Sequence, residues 1–147
     1  MRVYLDACCL NRLTDDQSQT RVRNEAEAVE AIFRMVRMGI ATWISSTALE
    51  IEINRNPDAD RRHDVTMLLA LANEVVVPQP GTAHRAEFLR NFGFAPFDAL
   101  HLACAEEGRA DVFLTTDDAL IRRAGRRMNE IRTCVMNPVS WYEEAVR

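Results

Sequence analysis

The chain has 147 residues, 48% of them hydrophobic and 27% charged, with only five glycines and five prolines. That length supports one domain with a real core, and the composition excludes low-complexity and fibrous classes. A formal net charge of −4 argues against a large basic surface for holding nucleic acid, although acids gathered in one cleft can be offset by divalent cations that themselves contact phosphate.

The N-terminus opens on a strand-like segment, and no run approaches the roughly 20 apolar residues of a membrane helix. A cytoplasmic protein without membrane association is expected. The four cysteines, Cys8, Cys9, Cys104 and Cys134, lack the pattern of a secreted disulfide framework and are expected to be reduced packing residues.

Residues 2–6, Arg-Val-Tyr-Leu-Asp, read as a short buried strand that stops at a carboxylate and enters a loop over 7–11. In an open parallel sheet the carboxyl ends of the strands border the ligand crevice, so Asp6 stands where chemistry would be placed. A turn-capping role is the rival reading. A polar loop over 13–19 leads to a helix from about residue 23, with Ala28, Val29, Ile32, Phe33 and Val36 at 3.6-residue spacing and Gly39 at its end.

A second buried strand is expected over 40–44, followed by the capping candidates Ser45, Ser46 and Thr47 and a helix that carries Glu50 and Glu52. After the turn signal Asn56-Pro57-Asp58, an amphipathic helix is expected over 62–72 and a short strand over 74–78, closed by Pro78. A helix over 82–91 with Gly93 just beyond it leads to Pro96, which suits the first turn of a helix over 96–107. Asp98 falls in that first turn. Residues 111–114 form another apolar strand ending near Asp117 and Asp118, before a helix over 119–127, a strand over 131–136 and a C-terminal helix from Pro138. Strands alternating with helices throughout predict an α/β domain spanning 1–147, with a mainly parallel sheet covered on both faces.

This topology would gather Asp6, Glu50 or Glu52, Asp98, and Asp117 with Asp118 at one sheet edge. Such carboxylates repel unless something positive enters, and hard oxygen ligands suit Mg²⁺ or Mn²⁺ better than Zn²⁺. Metal-assisted phosphodiester hydrolysis fits these parts. There is no Gly-x-Ser-x-Gly elbow, no Gly-x-Gly-x-x-Gly fingerprint and no P-loop.

Tyr4-Leu5-Asp6, Ser46 followed by Glu52, Phe97-Asp98-Ala99-Leu100-His101-Leu102-Ala103, and Leu114-Thr115-Thr116-Asp117-Asp118 resemble the ordered acidic motifs of PIN-domain nucleases. The resemblance extends over nearly the whole chain and is nearest to stand-alone prokaryotic PIN proteins, including VapC-type toxins of toxin–antitoxin modules. It implies a PIN-like fold and a Mg²⁺- or Mn²⁺-dependent endoribonuclease acting on single-stranded RNA. Asp6, Glu52, Asp98 and Asp117 would be the catalytic, metal-coordinating acids and Asp118 an outer partner of the metal site. An antitoxin partner and a homodimer are implied in the same way. Glu50 and Glu52 point about 200° apart on a helix, so only one can face the site, and the spacing from Ser46 in the family favours Glu52.

Ala7-Cys8 departs from the Thr and Asn that many family members carry after the first acid, removing polar groups that support metal ligands. A PIN-like RNA-binding or assembly module without catalysis is the alternative that this departure motivates. A phosphatase of the haloacid-dehalogenase kind would need an acid where Cys8 stands. Ser46, Thr115 and Thr116 read as helix caps or site residues alike, and His101 as a surface or satisfied core histidine, outside the catalytic set. Arg122, Arg123, Arg126 and Arg127 read equally as a guide for RNA phosphates or as a solvated basic face.

Overall fold

A computed structural model describes residues 1–147. Five strands, β1 (Arg2–Leu5), β2 (Thr42–Ser46), β3 (Glu74–Val76), β4 (Val112–Leu114) and β5 (Cys134–Met136), form one sheet in the order β3-β2-β1-β4-β5. Every neighbouring pair is parallel. Eight helices complete the chain: α1 (Ala7–Asn11), α2 (Thr20–Arg37), α3 (Thr47–Asn54), α4 (Ala59–Leu69), α5 (Pro80–Arg90), α6 (Pro96–Glu107), α7 (Asp118–Gly125) and α8 (Pro138–Ala145). The α/β class read from the alternation of strands and helices is the class observed.

A parallel strand covered on both faces must be apolar along its length. Accordingly Val3, Tyr4, Leu5, Trp43, Ile44, Phe113 and Leu114 are all fully buried and belong to one apolar core. Trp43 meets Phe33 of α2 on one face of the sheet, with ring centroids 5.0 Å apart. Tyr4 meets His101 of α6 on the other and stacks on Phe113 at 5.2 Å. Gly108, which caps α6, lies so close to the sheet that an added Cβ would fall 2.5 Å from Ile44 Cγ2, so only glycine fits.

Several boundaries differ from those expected, β5 beginning at Cys134 instead of residue 131 and α2 at Thr20 instead of about 23, and three of the differences have a clear local reason. Residues 7–11 form a helical turn instead of a loop, because the Asp6 carboxylate accepts from the Ala7 amide and caps it. Strand β2 begins at Thr42 and not at Ile40, since Gly39 (φ 75°) turns the chain and the amides of Ile40 and Ala41 remain bonded to the Met35 carbonyl of α2. Helix α4 starts at Ala59, earlier than expected, because Asp58 accepts from the amides of Asp60 and Arg61.

The chain runs from β1 outward to β2 and β3, then returns to place β4 on the other side of β1. In such sheets the crevice lies beyond the carboxyl ends of the strands where the order reverses. Here that point is the end of β1, at Asp6. No helix is long and apolar enough to cross a membrane.

Candidate active site

A cleft of about 430 Å³ opens at this end of the sheet, lined by Asp6, Cys8, Asn11, Glu52, Arg55, Asn56, Asp98 and Asp117 among others. Four elements deliver the acids: the end of β1, helix α3, the first turn of α6, and the cap of α7. The structure thus brings together Asp6, Glu52, Asp98 and Asp117 from positions far apart in sequence. Glu50 lies instead in a separate groove with Asn54, Thr66 and Leu69, so Glu52 is the α3 acid that faces the cleft.

Asp6 is 7% exposed and holds neutral donors only. Its Oδ1 accepts from the Ala7 amide at 2.8 Å, and its Oδ2 accepts from the Thr115 hydroxyl at 2.8 Å. Burial raises its proton affinity, and the charge of Glu52 adds to that effect against His101 and Thr115. Asp98 is pushed up to about 6, chiefly by burial and then by the charges of Asp6 and Asp117. Asp117 is exposed and caps α7 by accepting from the Leu120 amide at 3.1 Å.

No lysine or arginine pairs with any of the four acids. Clustered carboxylates without a cationic partner, two of them with raised proton affinity, are a donor set suited to a hard divalent cation. One ligand atom each from Asp6, Glu52 and His101 also lie within 4.8 Å of one another. The residues present fit the divalent metal that the resemblance implies, with Asp98 and Asp117 completing the oxygen-rich wall.

Asp118 does not line the cleft. Arg21 of α2 takes both of its carboxylate oxygens, at 2.8 and 2.9 Å, and holds its pKa below the usual carboxylate range. Asp118 is thus paired with Arg21 and stands outside the cleft lining, next to Asp117 in sequence. Arg21 also donates to the Thr116 carbonyl, which ties α2 to the loop carrying Asp117.

The departure at Cys8 proves less severe than its residue type suggests. Its Sγ accepts from the Thr116 amide at 3.3 Å, touches Thr115 Oγ1 at 3.2 Å and lies 3.5 Å from Asp6 Oδ2. A thiol thus occupies the polar position beside the first acid. Ser46 satisfies both of its readings, capping α3 through the Leu49 amide and meeting the Tyr4 hydroxyl at 2.7 Å. Thr115 accepts from the Asp117 amide while donating to Asp6, so one hydroxyl joins two of the acids.

Two residues were not legible as site residues. His101 is fully buried, with Nδ1 2.8 Å from the Tyr4 hydroxyl and Nε2 3.3 Å from Glu52 Oε1. Its position one turn after Asp98 was the available signal, with a tyrosine inside an otherwise aliphatic strand as a second. Arg55 is the one cationic side chain lining the cleft, and it lies 4.8 Å over the Phe97 ring, which in turn stacks on His101. The four arginines of α7 and its C-terminal turn, expected as an RNA guide or a solvated face, do not line the cleft, and Arg127 packs over Phe92.

Solved structures with the same architecture include FitAcB from Neisseria gonorrhoeae, 14% identical with a TM-score of 0.60, covering 92% of this chain and 97% of that one. VapBC2 from Rickettsia felis, bound to a DNA fragment from its promoter, is 10% identical with a TM-score of 0.63, covering 93% and 98%. VapBC-1 from nontypeable Haemophilus influenzae is 13% identical with a TM-score of 0.62, covering 94% and 98%. No curated protein matches the sequence. The PIN-domain family model matches residues 3–126, which include all four cleft acids, and the chain belongs to the PIN-domain family.

Proposed function

We propose that this protein is a divalent-metal-dependent endoribonuclease that cleaves single-stranded RNA. The observation that carries the reading is the cleft itself, where Asp6, Glu52, Asp98 and Asp117 converge and no arginine pairs with any of them. These four acids would hold Mg²⁺ or Mn²⁺. An ion held by these acids would supply a lowered pKa for bound water and neutralisation of charge on the phosphate.

The chain's own groups prepare that chemistry. Thr115 and the Ala7 amide fix the Asp6 carboxylate, and Thr115 also orders the start of the Asp117 loop. Asn11, Asn56 and Arg55 at the rim offer donors to a nucleic-acid backbone. Arg55, kept off the acids by its stack on Phe97, is charge-complementary to phosphate.

A toxin role in a toxin–antitoxin module extends this reading, supported by the sequence resemblance to VapC-type toxins and by similar solved structures that carry the VapBC name. It entails an antitoxin as partner, a cytoplasmic location and, by family habit, a homodimer. The non-catalytic alternative rests on Ala7-Cys8, and the polar contacts of Cys8 weaken its motive.

The test is cleavage of a labelled single-stranded RNA with added Mn²⁺ or Mg²⁺, comparing the full chain with Asp98→Asn well below both melting transitions. Metal-dependent cleavage that disappears in the variant supports the proposal. Cleavage by both proteins alike would remove the acidic cluster from the mechanism.

A further inference from the structure

Behind the acids lies a chain of polar groups that ends at Glu52 and whose other members the proposed function does not use. Ser46 Oγ, the Tyr4 hydroxyl, both nitrogens of His101 and Glu52 Oε1 follow one another at 2.7, 2.8 and 3.3 Å. Tyr4, Ser46 and His101 are fully buried, whereas the Glu52 side chain is about one-third exposed. The chain therefore runs from the core to the wall of the cleft, through β1, the end of β2, α6 and α3.

Donor and acceptor inventories give it a direction. A carboxylate only accepts, so the hydrogen between His101 and Glu52 belongs to Nε2. In a neutral imidazole Nδ1 then accepts, so the Tyr4 hydroxyl donates to it. The Tyr4 oxygen is left to accept from Ser46, whose own oxygen accepts from the Leu49 amide. Every link is used once. Ser46 caps the helix on which Glu52 stands, so the chain closes on itself and fixes both ends of α3 against α6.

From this geometry we infer that Tyr4 and His101 are positioning residues for Glu52, holding its carboxylate in the cleft against the repulsion of Asp6, Asp98 and Asp117. The inference rests on the proposed metal site. Outer partners of this kind typically change metal affinity about 10–100-fold when removed. Phe97 stacks on the imidazole, with ring centroids 5.9 Å apart.

The test is calorimetric titration of the full chain with Mn²⁺ alone, without RNA. Tyr4→Phe is expected to keep a cooperative melt and to weaken Mn²⁺ binding about tenfold. Glu52→Gln is expected to weaken it at least as much, and the double variant to lose little more, because the two changes act through one carboxylate. Should Tyr4→Phe not fold, the same comparison is made with His101→Gln, whose amide can still donate to Glu52, and with His101→Leu; the Gln variant is expected to keep more affinity. Nitrogen NMR of the imidazole is expected to show the hydrogen on Nε2, with and without Mg²⁺.

Undiminished Mn²⁺ affinity in Tyr4→Phe, fully additive losses in the double variant, or a hydrogen on Nδ1 would overturn the inference while leaving the nuclease reading intact. Loss of the Nε2 hydrogen on adding Mg²⁺ would overturn it in favour of His101 as a direct ligand. No Mn²⁺ binding by the unaltered chain would overturn the metal reading and this inference together.

Discussion

Asp6 and Glu25 are both buried carboxylates, 7% and 1% exposed, and their surroundings differ in kind. Glu25 of α2 is met by Arg12 at 2.9 Å, by Arg21 at 3.4 Å and by the Asn137 amide at 2.6 Å. Asp15 joins Arg12 to Arg61, and Asp118 completes the pairing of Arg21. Around Asp6 the neighbours are a hydroxyl, a thiol, a backbone amide and more acids. The first cluster is neutralised by arginines of the protein itself, and no arginine pairs with the acids of the second. The chain has ample arginine, and the one arginine lining the cleft, Arg55, is stacked on Phe97 instead of paired with an acid.

The strongest way to break the contrast is to remove one charge from each cluster. Asp98→Asn should lower metal-dependent RNA cleavage by more than about 100-fold, exceeding the loss of a mere outer contact. The same variant should melt at a higher temperature than the original chain when both are metal-free, since one repelling charge has gone. Glu25→Gln should do the opposite. Leaving Arg12 and Arg21 without their shared anion should cost about 2 kcal/mol in denaturant unfolding, below the usual 3–5 for a fully buried pair because both arginines are partly exposed. Cleavage per folded molecule should be unchanged.

A smaller effect is expected at the rim. Arg55→Ala should weaken RNA binding by about tenfold or less, measured by anisotropy with the Asp98→Asn background to prevent cleavage. It should also reduce the slope of log affinity against log salt by roughly 1. An unchanged slope would take Arg55 out of the phosphate contacts.

The smallest is a pH dependence that separates the two clusters. The fold raises the pKa of Asp98 to about 6, while an unfolded aspartate titrates near 3.9. The stability associated with that raised value is fully present below the unfolded pKa and is lost as pH rises through 6. Metal-free protein should therefore melt higher at pH 5 than at pH 7. Asp118 and Glu74, drawn down by hydrogen bonds from Arg21 and Arg2, act in the reverse sense only at lower pH. Saturating Mn²⁺ should reverse the trend between pH 5 and 7, because the metal competes with the proton.

Some of this was legible in the residues alone. Helix α6 occupies the expected residues, because Pro96 at its start and a broad apolar face mark it locally. The gathering of Asp6, Glu52, Asp98 and Asp117 followed from strand ends and helix caps in a parallel sheet. The pairing of Asp118 was beyond such reasoning, since its partner Arg21 lies 97 residues away. His101 looked like a core histidine and is one, yet its second nitrogen reaches the cleft. Distance along the chain hid both.

The central strand also carries a consequence for the order of assembly. Asp6 lies near the very start of the chain, and the hydroxyl that holds it belongs to Thr115, 109 residues later. The register that sets β1 beside β4 pairs Val3 with Val112. Contacts of such separation require closing a long loop before they return any stability, so they form late in folding. During synthesis from the N-terminus, β1 can meet β2 while β4 is still unmade. The acidic pocket comes into being only once residues 112–117 have been made and have folded against β1, and a nascent chain that stops short of them carries the first acid without the residues that orient it.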